Sequence, residues 1–183
     1  VILFSPYFST YREQIRFAGG VCVEVPTYAR EGFEMKKERL EAAITERTKA
    51  IIFNNPANPT AMAYGPDTMK MLAGVAAEHD LLIIADEIYT AYMYCEPFVP
   101  IRTVPGAAER TITLNSFSKN YLMTGWRVGT VIAEPELIEA MQSINSALIY
   151  STPSISQRAA IQALHDRKDI RARYVKEYRE RVF

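Results

Sequence analysis

The sequence predicts an α/β protein of three layers, α/β/α, with helices on both faces of a mostly parallel central sheet. Two observations predict it. Short apolar runs alternate with longer stretches of helical periodicity, which is the pattern of βαβ units. The runs at residues 49–53 and 81–85 are also largely apolar throughout, as expected of strands covered on both faces.

The elements follow in order. Residues 1–4 read as a strand and residues 11–18 as a short helix stopped by Gly19 and Gly20. Residues 21–25 form the next strand and residues 36–44 a helix. The strand at 49–53 ends at Asn54, Asn55 and Pro56. Pro66 stands where a helix can begin. Residues 67–80 follow, with Met69, Leu72, Ala73, Ala76 and Ala77 at helical spacing. Strands are expected again at 81–85, 111–114 and 128–133. After Glu134 and Pro135 the pattern is helical to the end, with a break at 151–154.

The 183 residues, 49% of them hydrophobic, suffice for one sizeable core. Lys and Arg total 21 and Asp and Glu total 21, so charge points neither to a nucleic-acid partner nor to a polybasic membrane anchor. No apolar run reaches transmembrane length. Cys22 and Cys95 have no metal-ligand or redox spacing and read as small core residues in a reducing cytoplasm. The chain opens inside a strand-like run and closes in a helix-like charged stretch, 171–183. It therefore reads as a segment of a longer protein.

In parallel sheets, ligands sit beyond the carboxyl ends of the strands, so the residues there carry the chemistry. Asp86 and Glu87 directly follow an apolar strand. A carboxylate at such a rim needs a cation, hydroxyl or ligand, although a helix cap or nearby backbone donors would also serve. Lys119 follows Ser116 and Ser118 after another strand. A partly desolvated lysine there is a nucleophile toward carbonyls, whereas a lone lysine is usually a surface residue. The two serines suit either a cap or a phosphate. Arg127 stands between Gly125 and Gly129. Its planar fork matches a phosphate, and the glycines would allow close approach; a structural ion pair is the alternative. Trp126 reads as a packing residue. The turn from Asn55 to Thr60 holds Pro56 and Pro59, which stiffen it. His79 and His165 have no ligand partner at useful spacing, and no metal site is expected.

Taken together, these residues resemble the class I/II aminotransferases, which are fold-type I enzymes dependent on pyridoxal 5'-phosphate (PLP). The match is an ordered set: Ser5, Pro6, Tyr7, Phe8 and Tyr11, then Gly19 and Gly20, the Asn55–Thr60 turn, Asp86 to Tyr89, Ser116 to Lys119, and Gly125 to Gly129. The resemblance implies roles. Lys119 would hold PLP as a Schiff base and act as the general acid/base. Asp86 would pair with the protonated pyridine nitrogen, keeping the ring a good electron sink. Asn58 and Tyr89 would address the phenolic oxygen. Ser116, Ser118 and Arg127 would hold the phosphate. Phe8 would stack on the ring, with Tyr7 as its competitor. One departure is Ala61, where the family turn has Gly; Ala accepts a positive φ poorly, so the local turn is expected to differ.

The resemblance further implies that residues 1–183 are an incomplete PLP-binding large domain, with 151–183 leading toward a small domain. The family's Gly-rich phosphate loop would precede Val1, and its substrate-carboxylate arginine would follow Phe183. The implied reaction is ping-pong transfer of an amino group between an amino acid and a 2-keto acid, in a cytoplasmic homodimer. A PLP-dependent carbon–sulfur lyase would use the same cofactor residues, and a transcription regulator with an aminotransferase-like domain would share the fold.

Overall fold

The computed structural model describes residues 1–94 and 97–182. Cys95 and Phe183 lie outside the described residues. Six strands form one sheet in the order β2-β1-β3-β4-β5-β6. They are β1 (Ile2–Ser5), β2 (Val23–Pro26), β3 (Ala50–Asn54), β4 (Leu82–Asp86), β5 (Thr111–Ser116) and β6 (Gly129–Ile132). The first five are parallel and β6 runs antiparallel to β5. The mostly parallel α/β fold expected from the sequence is thus the observed one.

Alternate strand residues face opposite layers. Ile2, Phe4, Ile51, Phe53, Ile83 and Ala85 pack on one face. They meet Leu40 of α2 (Lys37–Ala42) and Met69, Leu72, Val75 and Ala76 of α3 (Pro66–Glu78). Leu3 and Ile52 face the other way, against Tyr11 and Ile15 of α1 (Thr10–Phe17). Pro66 occupies the first turn of α3, where its missing N–H costs nothing. The inward stripe of α3 differs from expectation in one turn: Val75 is buried and Ala77 is exposed.

A third cluster joins Phe117 and Met123 to Ala160 and Ala163. Here α4 (Phe117–Asn120) meets α6 (Ser154–His165) and α7 (Arg167–Val182). Helix α5 (Pro135–Leu148) has no buried residue. Among the described residues, no helix is long and apolar enough to cross a membrane.

Candidate functional site

The carboxyl ends of β3, β4 and β5 lie side by side, because those strands are neighbours and parallel. Strand β6 returns antiparallel, with Gly129 opposite Ser116, so the residues just before β6 arrive at the same edge. This topology gathers segments from far apart in sequence at one rim.

At the end of β4, Asp86 is 8% exposed. Its Oδ2 accepts a hydrogen bond from the Tyr11 hydroxyl, and its Oδ1 accepts from the Ile88 N–H at 3.3 Å. Burial pushes its carboxyl pKa up, and these two donors oppose the shift. Tyr11 is held high in turn, by burial first and then by the Asp86 charge, so its hydroxyl stays a donor. Sequence reasoning named Tyr11 in the matching set but gave it no role; its partner lies 75 positions away, and no local spacing reveals that contact. Phe8, 42% exposed, packs edge-on against Tyr11 with ring centroids 5.7 Å apart. Its competitor Tyr7 instead donates to Glu24 Oε1 at 2.7 Å.

Glu87 is buried more deeply, at 2% exposure. Its Oε1 accepts from the Ile101 N–H at 3.2 Å. Burial pushes its pKa up to about 7; the Ile101 N–H and Arg102 oppose that shift, and Asp86 adds to it.

On the rigid turn after β3, the Asn58 N–H donates to Asn54 Oδ1 at 2.7 Å. That bond aims the Asn58 amide at Tyr89, whose hydroxyl accepts a long hydrogen bond from Nδ2 at 3.5 Å. The two groups expected to share one ligand oxygen therefore face each other. Contrary to expectation, the turn keeps the positive φ: Ala61 adopts φ +58° despite its Cβ.

After β5, Ser116 caps α4, its Oγ accepting from the Ser118 N–H at 3.1 Å. Thr124 Oγ1 donates to the Ser118 carbonyl at 3.0 Å, and Arg127 Nη1 donates to the Thr124 carbonyl at 2.8 Å. This chain of contacts holds Arg127 beside the serine turn, although among the described residues no hydrogen bond joins it to either serine. Gly129 does not act as expected. A Cβ on Gly129 would meet the Asn115 carbonyl at 2.8 Å, so that glycine serves strand pairing. The left-handed backbone, φ +51°, falls on Arg127 itself. Trp126 is 43% exposed rather than packed in the core.

Lys119 and Ser118 line a cavity of about 400 Å³ together with Tyr89, Tyr92 and Tyr178. Tyr89 and Tyr92 also line a neighbouring cavity of about 530 Å³ that reaches Asn58. Away from this rim, Glu41, Glu78 and His79 bring their ligand atoms within 4.8 Å of one another. His79 thus has spatial partners from α2 and α3 that its sequence spacing hides. The group stands where α3 turns into β4, at the opposite end of that strand from Asp86.

Residues 1–183 match the family described as aminotransferase class I and II. The chain is 44% identical over 173 residues to the aspartate/prephenate aminotransferase of Thermus thermophilus, covering 94% of this chain and 44% of that protein. It is 39% identical over 171 residues to the asparagine–oxo-acid transaminase of Streptococcus mutans, covering 92% and 44% respectively. A single mutant of the Thermus thermophilus aspartate aminotransferase superposes with a TM-score of 0.95 at 40% identity, covering 98% of this chain and 47% of that one. The aromatic aminotransferase of Pyrococcus horikoshii gives 0.92 at 36% identity, covering 98% and 48%. The chain spans less than half the length of these relatives.

Proposed function

Because this chain belongs to the class I and II aminotransferases, we propose that residues 1–183 form the cofactor-binding large domain of an enzyme that moves an amino group between an amino acid and a 2-keto acid. The cofactor in this reading is pyridoxal 5'-phosphate. The observation that carries it is Asp86, a desolvated carboxylate at a strand end with a raised pKa. Among the described residues, the groups acting on it are neutral donors, and a cationic ring nitrogen is the complement it calls for. The remaining residues fit as well. Asn58 and Tyr89 converge as a pair. Ser116, Ser118 and Arg127 offer hydroxyls and a guanidinium, a donor set suited to a phosphate dianion.

When bound, PLP supplies an electron sink for the bonds at the amino acid's α-carbon. The residues of the chain supply the rest. Asp86 keeps the proton on the ring nitrogen. Asn58 and Tyr89 address the phenolic oxygen, Ser116, Ser118 and Arg127 anchor the phosphate, and Phe8 covers one ring face. Lys119 Nζ would hold the cofactor covalently. Free of that bond, the same amine would serve as the acid/base that moves a proton at the substrate α-carbon. In this reading the enzyme is a cytoplasmic homodimer, and residues 151–183 lead toward a small domain.

Borohydride reduction of the PLP-loaded protein, followed by peptide mapping, tests the assignment. The adduct is expected on Lys119 and absent in Lys119→Ala; an adduct that survives this substitution refutes it. Incubation with an amino acid alone should yield a keto acid and the amine form of the cofactor. Release of pyruvate with recovery of the original spectrum would assign a carbon–sulfur lyase instead.

A further inference from the structure

We propose that Tyr92 is a positioning residue for Lys119, acting through the lysine's main-chain carbonyl; this rests on the reading of Lys119 as the cofactor lysine. Lys119 sits in α4, which is four residues long. A single helical turn does not hold itself, because nucleation costs more than one hydrogen bond returns. Beyond the Ser116 cap and the packing of Phe117, support comes from the 3-10 turn Thr90–Tyr92 that follows β4.

Three hydrogen bonds join the two turns. The Tyr92 hydroxyl donates to the Lys119 carbonyl at 2.9 Å. The Ala91 N–H donates to Asn120 Oδ1 at 3.0 Å, and Asn120 Nδ2 donates to Thr90 Oγ1 at 3.0 Å. Ala91 and Asn120 are both buried, so water does not compete freely for these contacts. The Tyr92 ring is fixed in turn, packed edge-on against Tyr178 of α7 at 5.3 Å. Burial pushes the Tyr92 phenol pKa up, which keeps its proton available to donate.

The position of Tyr92 in the chain gives the bond its meaning. Tyr89, which faces Asn58, immediately precedes the same 3-10 turn. The turn that aims Tyr89 at the phenolic oxygen therefore also grips the backbone from which the Lys119 side chain springs. The spacing between those two cofactor contacts is set within one short, hydrogen-bonded unit. Removal of the Tyr92 hydroxyl leaves the Lys119 carbonyl with the Leu122 N–H at 3.3 Å, a bond within its own segment that says nothing about Tyr89.

The test uses the full-length protein and its Tyr92→Phe variant, which keeps the ring packed on Tyr178. Two forms of the cofactor are compared. The aldehyde form is captured as the Lys119 amine adds to the aldehyde carbon and one water leaves. The amine form binds through its ring and phosphate and cannot link to the lysine. In Tyr92→Phe, capture of the aldehyde form, followed by visible absorbance in stopped flow, is expected to slow about five-fold, the worth of one neutral hydrogen bond. The dissociation constant of the amine form is expected to stay within about two-fold, since its contacts do not pass through the Lys119 amine. Unchanged capture overturns the proposal. Parallel weakening of both forms also overturns it, since that marks a loss of general structure rather than of lysine placement. If the wild-type protein captures the aldehyde at a residue other than Lys119, the functional reading falls and this proposal falls with it.

Discussion

Replacing Glu87 by Gln should flatten part of the protein's pH–stability profile. Glu87 is 2% exposed and its carboxyl pKa is pushed up from 4.5 to about 7, with burial as the largest cause. The folded state therefore holds a proton that the unfolded chain releases between those two values. The stabilisation is complete below about pH 4.5 and is lost as pH rises through about 7. That interval, at about 1.4 kcal/mol per pH unit, makes the loss about 3 kcal/mol. Gln keeps an oxygen for the Ile101 N–H and cannot ionise. The variant should match the wild type near pH 4.5 and exceed it by about 3 kcal/mol at pH 8. For a unit of this size, that corresponds to a rise in melting temperature of roughly 6–12 °C. Urea unfolding of the cofactor-free protein across this range measures the difference directly. Parallel wild-type and variant profiles would refute the reasoning, because they would mean that Glu87 binds its proton equally in both states.

Two further outcomes are expected. Tyr11→Phe removes the hydroxyl donor from Asp86 but keeps the ring against Phe8; PLP retention should fall about ten-fold, read by equilibrium dialysis, the worth of a hydrogen bond to a charged group. Ala61→Gly relieves a left-handed backbone at φ +58° and should stabilise the protein by about 0.5–1 kcal/mol in urea unfolding, whereas Ala61→Val should destabilise it.

Most of the sheet is legible in the sequence, because strands covered on both faces must be apolar runs, and 49–53 and 81–85 are such runs. Helix α3 is legible for a similar reason: Met69, Leu72, Ala73 and Ala76 repeat at helical spacing and are buried. The short turns are not legible. Helix α4 and the 3-10 turn Thr90–Tyr92 owe their form to hydrogen bonds spanning 27 to 30 positions, which no local pattern carries. Gly129 misled for a related reason. Glycine marks a place where a side chain would be costly, but not whether strand or ligand comes close; at Gly129 it is the Asn115 carbonyl. The sequence points to Asp86 because it follows a strand end, and to Asn58 and Tyr89 through the family resemblance. It places Tyr11 in the matching set but assigns it no role, because Tyr11 begins in another element and reaches Asp86 only once β1 and β4 share a sheet.

The reversed direction of β6 has a consequence for how the protein proofreads its own assembly. With Gly129 opposite Ser116, Arg127 and the serine turn converge from opposite chain directions. Sliding β6 by one residue would shift the start of the strand, with Arg127 just before it, by about 3.4 Å and turn every β6 side chain to the other face. It would also bring a bulkier residue against the Asn115 carbonyl, where a Cβ already finds only 2.8 Å. Misaligned chains would thus lose both their tight pairing and the convergence of Arg127 with the serine turn. If Arg127 and the serine turn bind a phosphate as proposed, its affinity would be in effect a gauge of strand alignment, and the bound anion would favour correctly threaded molecules over slipped ones.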